Sequence, residues 1–281
     1  MKKLFLGMIL MLTMGISCVD VEPLAIFVNS YGSVDSYNFS DSLSELFLND
    51  WRYIPYEASG TTDMIFIKAP DTAEFQRKLI IFYYGNGYNL YYSTQMGKLF
   101  RKIGFNTLSS DYYGFGRTAR SIKPSEALCY QGAAETVRYA IDSLRFGAND
   151  IILCGFSLGT GVAIEMATRN SVGAVLLFAP FLNIATEVKT VSGGYNIPSD
   201  WFTNAVFDNS SKISSIHAPL CMFVGENDCL VDPKNMEELY KNADNPKLKG
   251  VLLNEDHPDF PSDSFLAWKD LCVIFFRNYL N

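Results

Sequence analysis

The sequence predicts an α/β protein, a doubly wound and mostly parallel sheet with helices on both faces. Three observations lead there. Short apolar runs of strand length recur along the chain, segments with helical spacing separate most of them, and the runs are apolar at nearly every position instead of every second one. Continuous apolarity suits a strand buried on both faces, and strand–helix alternation supplies the crossovers that parallel strands need.

Residues 19–50 are polar and weakly patterned, and read as a tether plus the first structural elements. MIFI at 64–67 is the first clear strand; LIIFYY at 79–84 is the next, followed by the turn GNGYNL and a helix over 91–102. NTLSS at 106–110 is a strand, and 125–145 has helical spacing. IILC at 151–154 enters the tight turn GFSLG, and 158–170 leaves it as a helix with Leu158, Val162, Ala163 and Met166 on one face. AVLLF at 174–178 and LCMFV at 220–224 are strands, 233–242 a helix, GVLL at 250–253 the last strand and 263–280 the closing helix. Residues 182–212, with Gly193, Gly194, Pro198 and Trp201, show no strong period and read as a small cap or loop over the sheet edge.

The chain has 281 residues, 48% of them hydrophobic, enough for one sizeable core in one α/β domain. A formal charge of -7 argues against electrostatic gripping of nucleic acid or an acidic bilayer surface. The opening MKKLFLGMILMLTMGISC has two lysines, an apolar run and then small residues, the layout of a secretory signal over 1–17. That run is short for a bilayer span. Gly15, Ile16 and Ser17 before Cys18 resemble a bacterial lipobox, so Cys18 is expected to be lipidated and to tether residues 18–281 to a bacterial membrane in the cell envelope, the alternatives being ordinary cleaved secretion and an uncleaved anchor. Cys129, Cys154, Cys221, Cys229 and Cys272 form no CxxC pair; Cys154 and Cys221 lie in apolar strands and read as small buried hydrophobes, with no metal implied.

Ser157 is the candidate nucleophile. A serine on a tight strand-to-helix turn holds its hydroxyl exposed, Gly155 and Gly159 remove Cβ atoms that would clash, and the helix N-terminus favours an oxyanion. Such a serine needs a base. Of the two histidines, His217 precedes a strand that leads away from that edge and reads as a surface residue. His257 follows the last strand in the loop NEDHPDF, and is the expected base. A carboxylate between serine and histidine in chain order is expected after another strand, and Asp228 in GENDCLVDP is chosen over Glu226 and Asp232. For the oxyanion, the N–H of Leu158 is paired with that of Asn86 in the GNG turn, Gly87 being second choice.

Together YYGNGYN, SSDYYGFGRT, GFSLG, IPSDWFTNAVFDNSSKISSIHAPL, GENDCLV and the histidine loop resemble the α/β-hydrolase superfamily, in particular its branch with an HGN-type oxyanion loop, which includes depalmitoylases and serine aminopeptidase-like hydrolases. The resemblance runs from about Phe66 to the C-terminus. It implies two-step acyl transfer by Ser157, His257 and Asp228, with no metal or organic cofactor. The sequence departs from the family pattern at Tyr84, where a histidine that supports the loop is usual, and at Asp256, where glycine is common; Pro258 follows His257. Tyr88, Tyr113 and Phe115 are expected to line an apolar acyl pocket. The expected function is thus hydrolysis of carboxylic esters or thioesters of a small-molecule or lipid-like acyl substrate. The alternatives are a serine aminopeptidase-like peptidase and a lipid-anchored binding protein without chemistry.

Overall fold

The computed structural model describes residues 39–46, 48–55, 58, 62–116, 122–191, 204–257 and 267–280. The expected signal segment, Cys18, Trp201, Pro258 and the middle of the expected cap lie outside them. The strands are β1 (Trp51–Ile54), β2 (Met64–Ile67), β3 (Leu79–Tyr83), β4 (Asn106–Ser110), β5 (Ile151–Phe156), β6 (Ala174–Phe178), β7 (Leu220–Gly225) and β8 (Lys247–Leu252). They form one sheet in the order β1-β2-β4-β3-β5-β6-β7-β8. Only β2 runs antiparallel to its neighbours; all pairs from β4 to β8 are parallel. The doubly wound, mostly parallel class expected from the sequence is the one observed.

The longer helices are α1 (Leu90–Ile103), α2 (Glu126–Asp142), α3 (Leu158–Arg169), α4 (Ile184–Val191), α5 (Lys234–Asn242) and α6 (Ala267–Tyr279). Consecutive strand residues face opposite sides of a sheet, and β3 shows how the layers divide. The Phe82 ring packs 6.1 Å from Phe100 of α1, whereas the Tyr83 hydroxyl reaches 3.5 Å from the Ala133 carbonyl of α2. α6 shares the α1 side, with Trp268 at 6.1 Å from Phe100, and α3 packs beside α2. Strands β3 to β7 are buried at every residue; β3, β5, β6 and β7 are accordingly apolar or small throughout, whereas β4 buries the polar residues Asn106, Thr107, Ser109 and Ser110.

Two elements were not read from the sequence. β1 pairs with β2 at the sheet edge, with Trp51 and Tyr53 half-buried, Arg52 exposed and Ile54 buried, and WRYI is too short a run to signal alone. α4 falls inside the region read as patternless. It starts with reciprocal bonds, Thr186 N donating to Asn183 Oδ1 at 3.0 Å and Asn183 N to Thr186 Oγ1 at 3.1 Å, and buries Ile184 and Val188 one turn apart.

Strand order positions the functional edge. From β3 the chain crosses to β4 on one side, and from β5 to β6 on the other, so connections diverge between the adjacent strands β3 and β5. A crevice opens outside the strand C-termini at such a point. The two turns that begin there are GNGYN after β3 and GFSLG after β5.

Candidate active site

Ser157 sits between β5 and α3 at φ 51° and ψ −119°, a strained conformation for a residue with a side chain. Its N–H donates to Phe178 O at 2.9 Å, and its carbonyl accepts from Thr160 N at 2.8 Å, so the turn is fixed on both sides. The flanking glycines are required by contact. A Cβ on Gly155 would lie 2.4 Å from Gly159 O, and one on Gly159 would lie 2.0 Å from Tyr83 O. Leu158 opens α3, so its N–H has no partner within the helix.

Asp228 and His257 meet across the loops after β7 and β8. His257 Nδ1 lies 2.8 Å from Asp228 Oδ2, with the Asp228 side chain 0% and the His257 side chain 16% exposed. A carboxylate only accepts, so in this pairing Nδ1 is the donor. The other carboxylate oxygen, Oδ1, accepts from Leu230 N at 2.9 Å and Val231 N at 2.8 Å, which locks the side chain. The Phe156 ring, adjacent to Ser157 in the chain, packs 5.1 Å from the His257 ring and so joins the histidine loop to the serine turn. His217 is a surface residue, its side chain 79% exposed and 2.9 Å from Asp244. Asp232 bonds its own turn, Oδ1 accepting from Lys234 N at 2.9 Å. Glu226 is more than a solvated turn charge, since it accepts from Asn254 N at 3.0 Å across the two loops.

Asp256, where glycine is usual, clasps these loops instead of crowding them. Its Oδ1 accepts from His257 N at 2.9 Å and from Cys229 N at 3.2 Å. Those N–H groups hold the Asp256 carboxyl below its ordinary range, and its hydrogen bond pushes the exposed Cys229 thiol up. Gly225 is needed here, as a Cβ would lie 2.1 Å from Asp256 O.

The turn after β3 lies against the serine turn, for a Cβ on Gly85 would come within 3.2 Å of Ser157 Cβ. Asn86 and Gly87 form its corner, Gly87 at φ 81°, closed by Tyr88 N donating to Gly85 O at 3.3 Å. Tyr84 is fully buried and donates to Asp111 Oδ1 at 3.0 Å. Tyr88 stacks on Tyr92 at 3.9 Å and lies 5.9 Å from Phe156, at the edge of the site. The Tyr113 hydroxyl is turned to Glu135 of α2 at 2.8 Å. Phe115 departs from its expected role: at 1% exposure it packs on Tyr84 and Tyr112 and supports the loop from inside the core, so it lines no open pocket here.

Sequence reasoning missed one group. Glu187 on α4 accepts from Asn235 Nδ2 at 3.2 Å, and burial, then the nearby Asp228 and Asp232 charges, push its carboxyl up to about 8. Its only signal was the helix in which it sits, which the glycine- and proline-bearing surroundings obscured.

The strand order, the divergence between β3 and β5 and the serine turn together define an α/β-hydrolase fold. No protein-family model matches the chain. The chain is 29% identical over 193 residues to an Acanthamoeba polyphaga mimivirus protein named as an α/β hydrolase, covering 68% of this chain and 70% of that protein. It is 29% identical over 167 residues to the lysophosphatidylserine lipase of Xenopus tropicalis, covering 53% of this chain and 42% of that protein. An esterase from Pyrococcus furiosus superposes with a TM-score of 0.68 at 17% identity, covering 91% of this chain and 98% of that one. A puromycin-hydrolyzing peptidase from Mycobacterium tuberculosis gives 0.62 at 13% identity, covering 78% of this chain and 37% of that one. The structural likenesses are likenesses of fold; with the relatives' names, they support the α/β-hydrolase superfamily.

Proposed function

We propose that this protein is a serine hydrolase acting on carboxylic esters or thioesters of apolar acyl groups. One observation carries the reading: the 2.8 Å contact of His257 Nδ1 with Asp228, beside a serine strained at φ 51° on a strand-to-helix turn. In this reading Ser157 Oγ attacks the carbonyl carbon while its proton passes to His257 Nε2. The oxyanion is received by the N–H groups of Leu158 and Asn86. The leaving group takes the proton from Nε2, and a water molecule, deprotonated by the same nitrogen, then releases the acid and frees Ser157. Asp228 holds the imidazole and stabilises its charged form. In this reading Tyr88, 5.9 Å from Phe156, belongs to the acyl site. Esterase and lipase names among the similar proteins favour this class. The HGN-type branch is supported by the GNG turn and GFSLG, with Tyr84 in place of histidine.

A fluorophosphonate probe tests the reading without knowledge of the substrate. The expected result is a covalent mass increase on the peptide holding Ser157, absent in Ser157→Ala, together with loss of short p-nitrophenyl ester hydrolysis by about 10³-fold or more. Absence of both labelling and turnover in the wild-type protein would favour a binding protein. We further propose, from GISC and the residues before it, that Cys18 carries a lipid anchor; an unmodified N-terminal peptide in mass spectrometry of the exported protein would reject this.

A further inference from the structure

Both ends of the turn that carries Asn86 are fastened to one oxygen atom. Asp111 Oδ1 accepts from the Tyr84 hydroxyl at 3.0 Å, just before the turn, and from Leu90 N at 2.8 Å, just after it. Tyr84 is itself held by its neighbour in a reciprocal pair. Tyr112 N donates to the Tyr84 hydroxyl oxygen at 3.1 Å, and the Tyr112 hydroxyl donates to Tyr84 O at 2.8 Å, with the rings 4.6 Å apart. Asp111 N in turn donates to Asp63 O at 3.0 Å, tying the arrangement to the segment before β2. Tyr84, Leu90, Asp111 and Tyr112 are each 0–2% exposed.

We infer that Tyr84 and Asp111 are positioning residues, which hold the turn after β3 in the geometry its backbone N–H needs to receive a developing negative charge beside Ser157. The inference rests on the serine-hydrolase reading. A carboxylate withdrawn from water loses its hydration and persists only where hydrogen bonds replace it. Here two of the replacements come from the two flanks of one short turn, which therefore cannot move without breaking hydrogen bonds to a buried carboxylate. Oxyanion donors act only if they are aimed before reaction, within about 0.5 Å of the productive position. The Gly85 contact with Ser157 shows how little room separates this turn from the nucleophile.

Tyr84→Phe tests this, because it keeps the ring and deletes the hydroxyl. The expected result is a fall in kcat of about 10- to 100-fold, less than removal of an oxyanion donor itself, with KM within about threefold of wild type. Fluorophosphonate labelling should slow in proportion, and amide hydrogen exchange should quicken over residues 85–92. Asp111→Asn keeps an oxygen acceptor and should retain more activity than Asp111→Ala. Tyr112→Phe, which leaves the Tyr84–Asp111 bond in place, serves if Tyr84→Phe does not fold; it should quicken exchange over the same residues, and unchanged exchange would count against the inference. Wild-type turnover with kcat of Tyr84→Phe within twofold and unchanged exchange would overturn it. Should the wild-type protein neither turn over nor label, the hydrolase reading fails; exchange in Tyr84→Phe then decides the clamp alone, unchanged exchange overturning it.

Discussion

His257 and His217 offer a sharp contrast, since both lie near 2.9 Å from an aspartate yet in opposite surroundings. The Asp228 side chain is 0% exposed and its pairing with His257 orients a ring against Phe156, whereas the His217 contact is open to water and so weak. His257→Ala is therefore expected to reduce kcat/KM by about 10³-fold or more, and His217→Ala to leave it within twofold, measured on one short ester. Inverted results would remove His257 from the mechanism. The placement of these residues was legible because chain order and strand ends constrain it: Ser157 follows β5, Asp228 follows β7 and His257 follows β8, and the last two pair. What was hidden was the support. Nothing in the spacing of Tyr84, Leu90 and Asp111 reveals that they converge on one carboxylate oxygen, because that convergence exists only once β3 and β4 lie side by side.

α4 brings a carboxyl group against β7's loop, and its titration should mark the stability of the whole protein. Glu187 is raised from 4.5 to about 8, chiefly by burial and then by Asp228 and Asp232. Below pH 4.5 the folded and unfolded chains both hold the proton, and the group adds no penalty. Between 4.5 and about 8 only the folded chain holds it, so stability falls by up to about 1.4 kcal/mol for each unit that pH rises. Above that window the penalty is complete. Glu187→Gln, whose amide oxygen can still accept from Asn235, should match wild type in urea unfolding at pH 4 and exceed it increasingly at pH 6 and 8. Equal stability at all three would refute the burial argument. The sequence predicted β3, β5, β6 and β7 well because they are apolar or small throughout, and it failed at the margins. β8 begins at Lys247, three residues before the apolar run that announced it, because an edge strand needs no apolar residue on its open side. α4 was concealed for a related reason: its capping pair, Asn183 and Thr186, is polar, and hydrophobic periodicity does not register it.

Taken whole, the molecule places a turn bearing Tyr88 beside Ser157 and Phe156, and this bears on substrate size. If Tyr88 and its neighbours cover an acyl chain, each buried methylene contributes about 0.8 kcal/mol, so kcat/KM should rise up to about fourfold per methylene until the site is full. Esters of two to sixteen carbons, assayed beside aminoacyl amides, check this; a flat profile with faster amide cleavage would favour the peptidase reading instead. The clasp made by Asp256 has a different consequence. The serine turn is held by close-packed backbone inside the sheet, but His257 sits on a loop where Leu253 is 68% exposed and where the bonds made by Asp256 lie at the surface. Segments of that kind open locally, well below the free energy of global unfolding. On warming, the pairing of His257 with Asp228 is expected to open while the sheet is still intact, so the lifetime of any activity that needs this pair and the melting temperature of the fold become separate properties.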